Sequence, residues 1–309
     1  MEIVLDSRSP AGTRLTTWAL TYPRFVHAEL MTHRIFSRNS ASSRAIPSEK
    51  MRKMIQEHPA LPVFWGRNQA GMQARAELPN TDELRRRIDV GPAIVVDVTP
   101  YEYVRTRWLE ARDAMIRFSD ELADLGKVHP DWADIGLHKQ LANRLTEPWM
   151  PITVLVSATS FANWFHLRDH KDAQPELQII ATEMHYQYLA SVPHPVPAGQ
   201  WHLPYIREQD LHDPLVASGP FFEVLKKVSV GRCARVSYLT HEGTRDLEKD
   251  VELHDKLAAT TQSEDPGHFS PFEHVAEALG RPERIGNFVG WRQYRKDFPN
   301  EAGPDEVST

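Results

Sequence analysis

The chain has 309 residues, 41% hydrophobic and 25% charged, enough for a sizeable core in one large domain or two modest ones. Its 36 basic and 42 acidic side chains give a net charge of −6, which argues against a general nucleic-acid coat protein. The single cysteine, Cys233, excludes an internal disulfide framework and any thiolate metal cage built from one chain. No run approaches the ~18 apolar residues of a membrane helix, and the start MEIVLDSRSPAG lacks the basic and apolar regions of a secretion signal. The expectation is a cytoplasmic protein with no membrane partner.

In chain order, Glu2 to Leu5, Arg14 to Leu20 and Phe25 to Met31 read as extended segments, with a turn at Ser9-Pro10-Ala11-Gly12. Thr32 to Pro47 is polar and basic with no apolar period, and reads as a loop. Residues 60–98 are irregular around Trp65 until the apolar run Ala93 to Val98. The strongest helix follows: Thr99-Pro100-Tyr101-Glu102 is a capping box with proline at the first helical position, and Gly126 closes the segment. Tyr101, Val104, Trp108, Ala111, Met115, Phe118, Leu122 and Leu125 form its stripe, suited to a core or a subunit interface. Helices are also expected over Leu137 to Leu145, within Pro151 to Arg168, over Pro175 to Ala190 and over Thr244 to Thr261. The proline-rich stretch near 191–205 is the candidate lobe boundary within a single domain, 1–309. Val228 to Tyr238 reads as a strand and 297–309 as a polar tail.

Three constellations carry chemistry. Between His33 and Arg44 lie three arginines, a histidine, and the small polar side chains Ser37, Asn39, Ser40, Ser42 and Ser43. Such a segment suits a phosphate, since guanidinium and hydroxyl donors surround it, though a solvated basic loop has the same composition. From Asn163 to Glu176, His166 and His170 stand at metal-ligand spacing on a helix, but no acid completes a metal pattern, and no metal is expected. Arg168 follows an aromatic segment, where a guanidinium needs an anionic or planar partner. The third comprises Arg232 to Tyr238, with two arginines alternating on the expected strand, and Gly267 to His274, where Ser270-Pro271 begins a helical turn.

Together these segments resemble the flavin-dependent thymidylate synthases. The family signature, Arg-His-Arg, seven residues, then Ser, stands here as Thr32-His33-Arg34, IFSRNSA, Ser42, with Arg44 beyond. Asn163, Leu167-Arg168 and Ala173-Gln174-Pro175-Glu176 match a helical region of the family. Ala-Arg-Val-Ser-Tyr at 234–238 and Ser-Pro-Phe-Glu-His at 270–274 occur verbatim. In familiar members these last two precede the signature, so the order here looks circularly permuted, which is tolerable where original termini lie close together. Residues 288–296 faintly echo the strand that enters the signature, whereas roughly 50–135 and 190–225 have no assignable counterpart.

The resemblance implies an α+β fold, a twisted, largely antiparallel sheet flanked by helices, assembled as a homotetramer. It implies methylation of deoxyuridylate (dUMP) with FAD as cofactor, methylenetetrahydrofolate as carbon donor and NADPH as reductant, so Cys233 is not needed as a nucleophile and reads as a core residue. By similarity His33, Arg34, Asn39, Asn163, Ser237 and His274 contact FAD, while Ser42, Arg44, Arg144 and Arg168 contact the nucleotide, with Ser42 and Arg168 catalytic. Arg168 would stabilise negative charge developing on the pyrimidine. Four positions depart from the family pattern: Glu29 for glutamine, Thr32 for arginine, Ser40 for glutamate and Asp172 for histidine. Two other readings share these residues. One is a flavin- and folate-dependent pyrimidine nucleotide hydroxymethylase. The other is a single-stranded nucleic-acid-binding protein using the basic stretch 33–53, with Trp65 and Tyr101 stacking on bases.

Overall fold

The computed structural model describes residues 1–91, 94–238, 246–259, 268–298 and 301. Its strands are β1 (Glu2–Arg8), β2 (Arg14–Pro23), β3 (Ser37–Ser40), β4 (Arg86–Gly91), β5 (Ile94–Val98), β6 (Pro151–Ala158), β7 (His194–Pro195), β8 (Trp201–His202), β9 (Ala276–Ala278), β10 (Arg284–Ile285), β11 (Phe288–Val289) and β12 (Trp291–Gln293). The α-helices are α1 (His27–Leu30), α2 (Ser48–Glu57), α3 (Pro100–Ala123), α4 (Lys139–Ala142), α5 (Ala162–Arg168), α6 (Pro175–Ala190), α7 (Pro214–Ser218), α8 (Phe221–Arg235) and α9 (Leu247–Ala259).

A five-stranded sheet in the order β3-β6-β2-β1-β7 organises the fold. All its pairings are antiparallel except β1 with β7. The side-chain alternation of β2 decides what each face does. Trp18, Leu20 and Tyr22 point one way and join Ile152, Val154 and Val156 of β6 against Phe161, Trp164, Leu177, Ile180 and Met184 around α5 and α6. Leu15 and Thr17 point the other way. There the cover is α8, which brings Cys233 against Leu155, and the three-stranded sheet β12-β9-β8, whose Ala276, Ala278 and Trp291 pack on Leu15. The fold is α+β, antiparallel sheets flanked by helices.

Several expectations need correction. The segment 228–238 is not a strand: α8 runs to Arg235 and a 3-10 turn follows over Val236–Tyr238. Helix wins because Arg232 and Arg235, three apart, then share a side and both bond Asp250 of α9, at 2.9 and 2.6 Å. Arg232 also holds Asp210 across a buried ion pair. The helices touch closely, since a Cβ at Gly231 would lie 2.2 Å from the Asp250 carbonyl oxygen. Phe25 to Met31 is helical rather than extended, as a 3-10 turn and α1. The basic stretch from Thr32 is not loop throughout, because Ser37–Ser40 pairs with β6. Within Pro151 to Arg168 the apolar first half is the buried strand β6 and only the second half is helix; a short apolar run fits either until its partners are known. The stretch expected as helix from Leu137 is one turn, α4, continued as a 3-10 helix over Asn143–Trp149.

Other expectations hold. The helix α6 spans Pro175–Ala190 as read. The helix α3 has its full capping box, Thr99 accepting from the Glu102 amide and Glu102 from the Thr99 amide, but it is capped at Asp124, with Gly126 in the turn beyond. Of its stripe, Trp108 and Met115 pack with Met51, Ile55 and Trp149, whereas Phe118 and Leu122 remain exposed. The stretch 191–205 carries β7, which pairs with β1, and β8, which pairs with β9. The helix expected over 244–261 is described as α9; Thr244 and Thr261 lie outside the described residues, as do Ala93, Gly267 and most of 297–309.

The sheet's second face buries His202 and His274 completely, and burial pushes both imidazoles down from 6.5 to about 3. The sign follows directly. Below 6.5 the unfolded chain takes up protons at these positions that the folded chain refuses, so stability is fully present above 6.5 and falls as pH drops toward 3. Each contributes a slope on the order of 1 kcal/mol per pH unit in that window. Urea midpoints measured from about pH 7 to about pH 4.5 are expected to fall steadily; a flat profile would mean that both imidazoles protonate freely in the folded protein.

Candidate active site

Strand β3 aims Ser37 and Asn39 at the second face of the sheet, and both are buried. The Asn39 amide donates to the Cys233 carbonyl at 2.7 Å. Its oxygen accepts from the hydroxyls of Ser237 at 3.0 Å and Ser270 at 3.4 Å. The chain then leaves the sheet at Ser42, whose amide donates to the Ser237 carbonyl at 3.1 Å. The turn beyond is pinned by Asn143, which donates to the carbonyls of Ser43 and Ile46 at 2.8 and 3.0 Å. Three sequence segments from opposite ends of the chain thus meet at one carboxamide.

Around this junction lies a cavity of about 390 Å³, whose walls include Asn39, Ser42, Arg44, Gln140, Ser237 and His268. Arg44 is exposed and holds no partner among the described residues, leaving its forked donors for an anion. Gln140 and His268 were not singled out from the sequence. Gln140 comes from α4, and nothing in its local pattern announces a site; His268 stands only two residues ahead of the Ser-Pro-Phe-Glu-His turn, which was the available signal.

His274, at the end of that turn, is fully buried. Its Nδ1 lies 2.8 Å from the Ser157 hydroxyl, and its Nε2 has no partner among the described residues. A buried polar atom without a partner is costly, and it marks a position at which a bound group can supply the missing bond.

A second cluster forms around Arg168. Its Nε donates to His33 Nε2 at 3.1 Å and its Nη1 to Glu29 Oε2 at 2.9 Å. Its Nη2 has only long contacts, 3.5 Å to the Glu29 carbonyl and 3.4 Å to the Thr32 hydroxyl. His33 is held neutral: burial first, then Arg168 and Arg38, push it down to about 4. As acceptor at Nε2 it carries its proton on Nδ1. Trp164 stands edge-on to the ring at 4.9 Å and Phe36 stacks on it at 5.6 Å. Two of the departures, Glu29 and Thr32, are therefore the groups in contact with Arg168.

Arg34, Arg144 and Asn163 are exposed and make no hydrogen bond among the described residues, so one chain does not gather them with either cluster. Ser40 is half-buried on β3, and Asp172 sits exposed past α5, beside His170 at 3.8 Å. Glu176 is structural: it accepts from the Val63 amide at 3.0 Å and from Gln174 at 2.9 Å. Since α5 ends at Arg168, His166 and His170 do not share a helix, contrary to the spacing argument. Among the described residues no group of three His, Cys, Asp or Glu side chains is placed to hold a metal ion. Cys233 is fully buried, and burial pushes its thiol well above the ordinary range, which disqualifies it as a nucleophile. Trp65 and Tyr101 pack edge to face at 6.2 Å with Trp65 buried, so the proposed base-stacking surface is not presented to solvent.

Comparison with curated proteins finds no match. Among solved structures, a UMP/dUMP methylase, PolB, from Streptomyces cacaoi, crystallised with 5-Br dUMP, aligns at 16% identity and a TM-score of 0.35, over 57% of this chain and 66% of that one, just under two thirds of its length. Residues 6–194, which contain the signature, the Arg168 cluster and, in full, the strands β2, β3 and β6 of the main sheet, match the family described as thymidylate synthase complementing protein. The chain belongs to that family, the flavin-dependent thymidylate synthases.

Proposed function

We propose that the protein methylates dUMP to thymidylate as a cytoplasmic homotetramer, with FAD as cofactor, methylenetetrahydrofolate as carbon donor and NADPH as reductant. The observation that carries this reading is the junction at Asn39. Ser42 from the family signature, Ser237 from the Ala-Arg-Val-Ser-Tyr segment and Ser270 from the Ser-Pro-Phe-Glu-His turn line one cavity, although the chain order separates them. Family membership supports the same chemistry.

The residues present fit the implied groups. The partnerless His274 Nε2 is a buried position for a flavin polar atom, with His33, Arg34, Asn39, Asn163 and Ser237 as the other FAD contacts. Bound FAD would supply the hydride that reduces the transferred one-carbon unit to a methyl group. Arg44 and Arg144, permanent cations without ion-pair partners among the described residues, suit the nucleotide phosphate, and the Ser42 hydroxyl adds a donor beside Arg44. Arg168 is aimed by His33 and Glu29, which occupy Nε and Nη1, and this leaves Nη2 as the corner available to negative charge developing on the pyrimidine. The exposed Arg34, Arg144 and Asn163 accord with active sites completed between subunits.

Purified protein is expected to bind FAD, and incubation with NADPH, methylenetetrahydrofolate and dUMP should yield a product heavier by one methyl group in mass spectrometry. A hydroxymethyl gain, or conversion of the cytidine nucleotide alone, would assign the hydroxymethylase reading instead. Failure to bind FAD, together with single-stranded DNA binding of steep salt dependence, would favour the nucleic-acid reading.

Arg168→Lys should keep the fold and lose turnover by roughly a hundredfold or more, because an ammonium carries its donors on one atom and cannot reproduce the planar fork that bonds His33 and Glu29 on two corners and presents a third. An unchanged single-turnover rate would remove Arg168 from the mechanism. Cys233→Ser should retain activity; a folded but inactive variant would restore a thiol route.

A further inference from the structure

Five polar side chains form a continuous line across the second face of the main sheet. The Ser7 hydroxyl lies 2.8 Å from His202 Nδ1, His202 Nε2 2.8 Å from the Thr17 hydroxyl, Thr17 2.6 Å from Ser157, and Ser157 2.8 Å from His274 Nδ1. All five are at most 1% exposed, and the far nitrogen of His274 has no partner among the described residues. Strands β1, β2, β6 and β8 each contribute one member, so the backbone pairing fixes the spacing.

Each hydroxyl in such a line has one proton to give, and each neutral imidazole donates from one nitrogen while accepting at the other. A hydroxyl can accept twice, so the four bonds alone allow more than one mixed pattern, but only two arrangements also give the buried Thr17 and Ser157 protons an acceptor. In the first, Ser7 donates to His202, His202 Nε2–H to Thr17, Thr17 to Ser157 and Ser157 to His274 Nδ1, so that His274 carries its proton on Nε2. In the second every bond is reversed, both histidines are protonated on Nδ1, and His274 Nε2 is a bare acceptor. The two contain the same number of protons. Both imidazoles stay neutral over ordinary pH because burial pushes them to about 3.

We propose that Ser7, His202, Thr17, Ser157 and His274 are one two-state hydrogen-bond relay, in which the two histidines share a tautomer and His202 is the positioning residue that lets His274 Nε2 meet the flavin either as donor or as acceptor. The flavin part rests on the function proposed above. An isoalloxazine gains N–H donors on reduction, so a flavin atom facing Nε2 can reverse its polarity between the oxidised and reduced forms. The relay lets the protein follow that reversal without leaving a buried group unpaired. Removing His202 breaks the symmetry: in the second arrangement the Thr17 hydroxyl then has no acceptor, so the first is favoured and His274 becomes a fixed donor.

The test is nitrogen-15 NMR of histidine-labelled full-length protein, assigned with single His→Gln variants, in the ligand-free state and with oxidised and dithionite-reduced FAD. Expected are equal Nε2–H fractions at His202 and His274 in every state, and a shift of both on flavin reduction. In Thr17→Val, His202 should stop responding while His274 still responds. In His202→Phe, His274 should stay on Nε2–H and the bound flavin's midpoint potential should fall. Opposite tautomers at the two histidines, or a His202 that ignores reduction in the wild type, overturn the proposal. If FAD does not bind, the functional reading fails, while the ligand-free tautomers still decide the relay: equal fractions support it and opposite ones refute it.

Discussion

The amide of Asn39 is buried between a strand of the main sheet and the two C-terminal motifs, and all its bonds go to residues far away in sequence: the Cys233 carbonyl and the hydroxyls of Ser237 and Ser270. A buried carboxamide without partners costs about 1–3 kcal/mol per unmet group, so β3, the end of α8 and the turn at Ser270 must arrive together. This requirement depends on spatial position and not on chain order. The cavity between Ser42 and Ser237 therefore needs only that set of donors and acceptors to meet at one amide, wherever the three segments fall in the chain. The tight approach of α9 to Gly231, with Asp250 bonded to Arg232 and Arg235, then fixes α8 from its outer side.

A second constraint comes from the polar face of the sheet. Most half-buried sheets place apolar side chains on their inner face, yet here Ser7, Thr17, Ser37, Asn39 and Ser157 turn into the protein and are covered by His202, His274 and Gln293. Each hydroxyl finds a partner at hydrogen-bond distance, so the face tolerates burial at the cost of admitting few substitutions. The contrast with the other face is plain: Leu20, Ile152, Val154 and Val156 pack by shape alone, with no polar pairing to satisfy beyond the backbone.

Local features were legible in the sequence where they depended on local chemistry. The capping box at Thr99 and Glu102 and the proline start of α6 are short-range signals, and both helices begin where they were read. Ser42, Arg44 and Ser237 were legible as candidate site residues through motif resemblance, and all three line one cavity. Three things were not legible, for separate reasons. The residues of β6 could be helix or strand until β2 and β3 pair with them. Arg232 and Arg235, three apart, would fall on opposite faces of a strand, and the buried Asp210 and Asp250 that bring them to one side of a helix lie elsewhere in the chain. Gln140 enters the cavity wall from a segment that carries none of the quoted motifs, and only the packing of the Asn143 turn places it there.

The departures from the family pattern acquire a physical meaning around Arg168. On sequence alone Glu29 and Ser40 suggest a carboxylate moved from one position to another. In the structure Glu29 bonds Arg168, Thr32 approaches the same guanidinium, and Ser40 stays on β3. The pair is part-exposed, with side-chain accessibilities of 18% for Arg168 and 41% for Glu29. An ion pair in that setting contributes at most about 1 kcal/mol, enough to bias the rotamer of the arginine but too little to withhold it from a stronger anion. Neutral His33 accepts from Nε and adds direction without charge. Glutamine at position 29 would hold the guanidinium by a neutral bond alone; glutamate adds attraction that an arriving anion must offset. In the proposed function the substitution would tune how readily Arg168 is released to an anion, while the aiming itself is left to His33 and the aromatic pair Phe36 and Trp164 around it.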